Sequence, residues 1–165
     1  MIVVSNASSL IFLAKVACLN LLPDMFGQIS IAPEVFQEVV GAGEGRPGAT
    51  TIQNAPWIQV QAVKSTARLQ EWRQIYRLGA GELATALLAQ ELGADLAIID
   101  ERAARLLATQ HGVKVMGCVG LLETGHRQGR LSDLRATYRQ LLAQGVHIDR
   151  EILNRSLAGL NLPTL

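Results

Sequence analysis

Aromatic side chains are scarce in this chain: two Trp, two Tyr and three Phe in 165 residues. Its core must therefore rely on Leu, Ile, Val and Ala, and 49% hydrophobic content supplies enough for one substantial domain. Cysteine is nearly absent too. Cys18 and Cys118 show neither metal-ligand nor redox spacing, so both read as small buried hydrophobes. No run reaches the roughly 20 apolar residues of a membrane span. The first residues lack a basic stretch, and Ser-Asn-Ala-Ser-Ser at 5–9 soon interrupts them, so they do not read as a signal peptide. The expectation is a soluble, cytoplasmic protein in which the sequon Asn6-Ala7-Ser8 goes unused.

The marks of several enzyme classes are missing as well. His111, His126 and His147 have no H-E-x-x-H spacing, and there is no G-x-S-x-G elbow. A literal G-x-G-x-x-G occurs at Gly43, Gly45 and Gly48, but it follows a helical stretch and contains Pro47, not the context that binds dinucleotides. The same stretch is spaced like a P-loop, with Ala49 where the phosphate-reaching lysine belongs. It reads as a flexible loop, a candidate lid. The net charge of +1 speaks neither for nor against nucleic acid. Residues 1–60 are net acidic and residues 102–155 net basic. That split suits a metal beside a phosphate polymer, and equally suits ordinary solvated helix faces.

What is there is an alternation of short apolar runs and longer amphipathic stretches. Strands are expected at Ile2–Ser5, Gln28–Ala32, Ile58–Val63, Leu96–Ile99 and Val113–Met116. Helices are expected at Ala7–Val16, at Leu19–Met25 with a break near Pro23, and from Pro33 to Val40. Others should cover Ala49–Asn54, Ser65–Arg77, Glu82–Leu92, Glu101–His111, Gly120–Gln128, Leu131–Gln144 and Asp149–Leu160. Strands alternating with helices imply an α/β fold with a mostly parallel sheet and right-handed crossovers. No repeat or linker divides the chain, so residues 1–165 read as one domain, with 146–165 as a C-terminal helical extension.

Four polar residues recur at matching places in this pattern. Asn6 ends the first apolar run and Asp100 ends Leu-Ala-Ile-Ile; Glu82 opens a helix and Glu38 sits within one. Each has a plain explanation: Asp100 or Asn6 as helix caps, Glu82 complementing a helix dipole, Glu38 facing water. Together they suggest more. Parallel strands share a carboxyl edge, and ligands bind there. Carboxylates gathered at that edge raise one another's pKa unless a cation neutralises them. Oxygen ligands select magnesium or manganese, which can bind a phosphodiester oxygen and orient an attacking water.

At these residues the sequence resembles the PIN-domain family, which includes the toxin nucleases of VapBC-type systems. The likeness runs from Val3 to about Arg130. It is carried by Val-Val-Ser-Asn-Ala-Ser-Ser-Leu-Ile at 3–11, Ile-Ala-Pro-Glu-Val-Phe-Gln-Glu-Val at 31–39, Leu-Gly-Ala-Gly-Glu at 78–82 and Ile-Ile-Asp-Glu-Arg-Ala-Ala-Arg at 98–105. The resemblance implies a three-layer α/β/α fold and an acidic pocket holding Mg²⁺ or Mn²⁺. It further implies ribonuclease activity on single-stranded RNA, a homodimer and, for toxin members, a small antitoxin. The family's acidic sites fall on Asn6, Glu38, Glu82 and Asp100, with Glu101 as an extra acid and Ser8 as the small hydroxyl residue. The departure is Asn6, where such nucleases usually carry aspartate; a neutral carbonyl is a weaker ligand for a hard cation. Arg102 and Arg105, one turn past Asp100, are candidates for substrate phosphates. The competing expectation is a silenced PIN fold that binds RNA or a partner protein. A phosphoacceptor domain is disfavoured, because Asn6-Ala7 supplies no acidic pair after the first strand.

Overall fold

The computed structural model describes residues 1–165. Five short strands form one sheet: β1 (Val3–Ser5), β2 (Ile29–Ile31), β3 (Ile58–Val60), β4 (Leu96–Ile98) and β5 (Val115–Met116). Their order is β3-β2-β1-β4-β5, and every pairing is parallel. β1 and β4 are buried along their whole length. That is why they read as continuous apolar runs rather than alternating ones: helices cover both faces of a parallel sheet.

The helices are α1 (Ala7–Lys15), α2 (Leu21–Phe26), α3 (Pro33–Phe36), α4 (Ala49–Gln53), α5 (Thr66–Ile75), α6 (Ala80–Leu92), α7 (Arg102–Gln110), α8 (Cys118–Arg127), α9 (Leu134–Ala143) and α10 (Arg150–Gly159). The expected alternation is present throughout, and most boundaries move inward by a residue or two. Two differences have clear causes. Pro23 does not break its helix, because it sits in the first turn of α2, where its missing N–H has no intrahelical partner to lose. The helix expected from Pro33 to Val40 changes pitch midway: α3 ends at Phe36 and a π-turn spans Gln37–Gly41.

One contiguous core of 41 buried residues runs from Val3 to Leu157. Both cysteines lie in it, as expected. Leu153 and Leu157 of α10 also belong to it, so the last helix packs onto the sheet domain. Tyr138 of α9 is fully buried, and its hydroxyl meets Ser156 Oγ of α10 at 2.6 Å.

The topology settles where a site can lie. The chain winds from β1 outward through β2 to β3, then returns to place β4 on the other side of β1. Loops leaving β1 and β4 therefore diverge and open a crevice at their carboxyl ends. Ser5 is in register with Ile98, so the residues that follow, Asn6 and Asp100, emerge side by side.

Candidate functional site

Asn6 lies in that crevice and is 1% exposed. As expected, it caps α1: its Oδ1 accepts the Ser9 N–H at 3.0 Å. That bond fixes the amide's orientation, so Nδ2 is the atom left over. Nδ2 is buried and bonds to nothing in the protein. A buried donor without an acceptor in the protein costs about 1–3 kcal/mol unless a water, an ion or a ligand meets it. An aspartate here would offer a second anionic oxygen at this place; the chain offers an N–H donor instead.

Asp100 does not cap α7. Glu101 does, with its carboxylate accepting the Ala103 and Ala104 N–H groups at 3.1 and 2.7 Å. The plain explanation for Asp100 therefore falls away. The extra acid, Glu101, is the one engaged in holding a helix end. Asp100 is exposed and reaches across the crevice. Its Oδ1 accepts the Cys118 N–H at the start of α8 at 2.8 Å, and its Oδ2 lies 3.4 Å from Ser9 Oγ. Ser9 Oγ also lies 3.3 Å from the Ile98 carbonyl. Asn6, Ser9 and Asp100 thus form one connected unit.

Ser9 is the residue that reasoning from sequence missed. Ser8 is exposed, while Ser9 is fully buried against Asp100. The signal was available. A cap at Asn6 places the residue three positions on, Ser9, with its N–H at the cap.

The second unit joins α3's continuation to α6. Glu38 lies in the π-turn, a rare form of helix that occurs frequently at functional sites. Its carboxylate approaches the α6 N-terminus, where the Gly81 N–H binds it and Glu82 stands close enough to repel it. Glu38 remains exposed to solvent, as its plain reading expected, so the desolvation that pushes its pKa up is partial; Glu82 adds to the rise, and the Gly81 N–H partly offsets both. Glycine at 81 is a matter of space: a Cβ there would collide with Glu38 Oε1. Glu82 is the third residue of α6 rather than its first, because the helix begins at Ala80. Its Oε2 accepts the Gly79 N–H at 3.0 Å.

The four residues therefore meet as two pairs, Asn6 with Asp100 and Glu38 with Glu82. No group of three or more His, Cys, Asp or Glu side chains is arranged to hold a metal ion. The physical reason is visible: Glu38, Glu82 and Asp100 each take a backbone N–H, and like charges gain nothing by crowding. The donor set still suits a hard divalent cation. It is all oxygen, and the Glu38–Glu82 repulsion is the kind that a cation relieves.

Arg105 lies beside Asp100. Its Nη1 donates to the Ile99 carbonyl at 3.1 Å, and a Cβ on Gly117 would come within 2.9 Å of both Arg105 Nη1 and Asp100 Oδ1. Arg102 is exposed one turn earlier. A hollow of about 600 Å³ opens against Asp100, Arg105 and Gly117. A comparable hollow of about 610 Å³ lies at the opposite edge of the sheet, around Met1, Asp95 and Lys114, and holds none of the candidate residues.

No helix is long and apolar enough to cross a membrane. No curated protein gives a significant match to the chain. A family model described as a PIN domain matches residues 2–161, nearly the whole length and including all four candidate positions. With its all-parallel five-stranded sheet and flanking helices, the chain belongs to the PIN-domain family.

Proposed function

We propose that this PIN domain is a metal-dependent endoribonuclease cutting single-stranded RNA, and that it serves as the toxin of a toxin–antitoxin pair. PIN domains form a nuclease family that generally uses divalent metal ions. The observation that supports the reading further is the Glu38–Glu82 pair at the start of α6, whose mutual repulsion is of the kind a bound cation would relieve. Glu38, Glu82 and Asp100 would hold the ion, with Asn6 assisting through the remaining lone pair of Oδ1. Mg²⁺ or Mn²⁺ supplies Lewis acidity to the phosphodiester and lowers the pKa of the attacking water.

The protein's own groups do the rest. Ser9 Oγ holds Asp100 in position. Ser8, Arg102 and Arg105 are assigned to the RNA backbone, where cations and hydroxyls position a strand without reading its sequence. Glu101 would add negative charge beside Asp100. A homodimer and a small antitoxin partner follow from the family likeness alone.

One observation favours a second reading, a PIN fold that binds RNA or a partner without cutting. Asn6 removes a negative charge, and no three carboxylates lie together. Single-stranded RNA incubated with Mg²⁺ or Mn²⁺, and in parallel with chelator, separates the two. Chelator-sensitive cleavage supports the nuclease; retention of RNA without cleavage supports the binder.

A further inference from the structure

We infer that the hollow beside Asp100 is a nucleobase pocket, seating an unstacked base of a single-stranded substrate next to the bond to be cut. The inference rests on the nuclease reading and names its specificity site. The hollow has a volume of about 600 Å³, within the range typical of small-ligand pockets. Its walls are Phe12, Val119, Ile148 and Ile152, and Arg105 and His147 stand with Asp100 among its polar lining.

Three features of this lining select the occupant. A free phosphate would have no use for four apolar walls, and a hydrocarbon none for a guanidinium and a carboxylate. A nucleotide has use for both, with its base between aliphatic and aromatic walls and its phosphate beside Arg105. Next, the hollow is open on one side, where the Ile152 wall is 47% exposed and free to meet a ligand. Last, the hollow shares Asp100 with the candidate site, so a strand whose phosphate sits at Asp100 has a neighbouring base within reach of the pocket. Gly117 and Gly120 both line it and keep the mouth clear. Only single-stranded nucleic acid can turn a base out in this way without breaking a pair.

Gly120 provides a mild means of closing the pocket. A Cβ there would meet only Met116 Cγ, at 3.4 Å, so a side chain can begin at this lining position, and Gly120→Leu is designed to extend it into the hollow. The experiment titrates adenosine and uridine 5′-monophosphates into the intact protein and into Gly120→Leu. It follows the Ile148 and Ile152 methyl groups and the His147 ring by NMR, with melting temperature and RNA cleavage recorded alongside. The expected result is saturable shifts at all three residues, binding about tenfold weaker in Gly120→Leu (the factor that about 1.4 kcal/mol represents), and a melting temperature held or raised, since leucine favours α8 over glycine. Gly120→Leu should still cleave RNA but with a flattened base preference. Cleavage by the natural protein with no nucleotide shifts at these residues would overturn the pocket and leave the nuclease reading standing. Shifts that Gly120→Leu abolishes, in a protein that cuts no RNA, would support the pocket and remove the nuclease. Shifts produced by an amphipathic helical peptide, titrated in parallel, and by neither nucleotide would overturn it in favour of a protein partner.

Discussion

Asn6 decides how this site differs from one ringed entirely by carboxylates. Its oxygen is bound to α1 and its nitrogen is a buried donor without an acceptor. Replacing it with aspartate puts an anionic oxygen where Nδ2 stands. Asn6→Asp should keep the cap and raise Mn²⁺ affinity about tenfold, a modest share of the roughly 4 kcal/mol that a unit-charge pair gains at 4 Å in a protein-like dielectric. Isothermal titration with Mn²⁺ measures this; unchanged affinity would mean that position 6 takes no part in holding the ion.

Glu38 makes a pH-dependent prediction. Its pKa is raised in the folded protein, by desolvation first and Glu82 second, so folding favours its protonated form. The stability this gives is fully present below the ordinary carboxylate pKa. It is lost as pH rises through the raised folded value. Glu38→Gln, which stays neutral, should therefore melt higher than the natural protein at neutral pH and show no such advantage at low pH. Melting curves across that range check the sign. An advantage of equal size at every pH would contradict it. The same proton must leave before a cation binds, so divalent affinity should climb through the same interval.

Among the elements, the meeting of the π-turn with the start of α6 depends on one missing side chain. Gly81→Ala introduces a Cβ that displaces the Glu38 carboxylate, and the atom displaced is the far end of a flexible chain. Alanine also favours a helix over glycine by about 0.5–1 kcal/mol. Folding should therefore be spared while Glu38 loses its place: melting temperature held or raised, divalent affinity reduced. A variant that simply unfolds would show that the close fit serves stability. This contact was only half legible in the sequence. Leu-Gly-Ala-Gly-Glu marked a helix start and a candidate acid, and Glu38 stood out as an acid in a helix. Nothing in residue order reveals that the helix would widen at Gln37 or that one glycine makes room for an acid 43 positions earlier, because both depend on how α3 packs against α6. The caps were more legible: Asn6 caps α1 as its position suggests, and only the cap of α7 falls on a different residue. In Ile-Asp-Glu-Arg either acid could cap α7, and burial of Ile99 carries the strand one residue further than its ladder, which hands the cap to Glu101 and frees Asp100.

At the scale of the molecule, the central strands β1 and β4 were readable because a strand covered on both faces shows as a block of Val, Ile and Ala, and the exposed edge strand β3 because Ile-Gln-Val alternates. Strand order was not readable from those runs, and it is strand order that brings Asn6 and Asp100 level. The C-terminal segment read as an added helix; α10 contributes Leu153 and Leu157 to the common core and is tied to α9 through Tyr138 and Ser156. Tyr138→Phe leaves Ser156 without its partner and should cost about 1 kcal/mol, seen as a single cooperative melt at lower temperature. Two separate melts would instead mark residues 146–165 as an independent extension. Burial also pushes the Tyr138 hydroxyl's pKa up to about 12, so its ionisation should not disturb the fold near neutral pH.

The most direct measurement is the rate of single-stranded RNA cleavage with Mn²⁺ by the natural protein and by Asp100→Asn, an isosteric change that keeps the acceptor for the Cys118 N–H. If the crevice between β1 and β4 is a working nuclease site, the natural protein cleaves and Asp100→Asn is slower by about 100-fold or more, the lower end for losing one positioned catalytic group, with its melting temperature unchanged. Equal rates in the two proteins, or no metal-dependent cleavage by either, would contradict it.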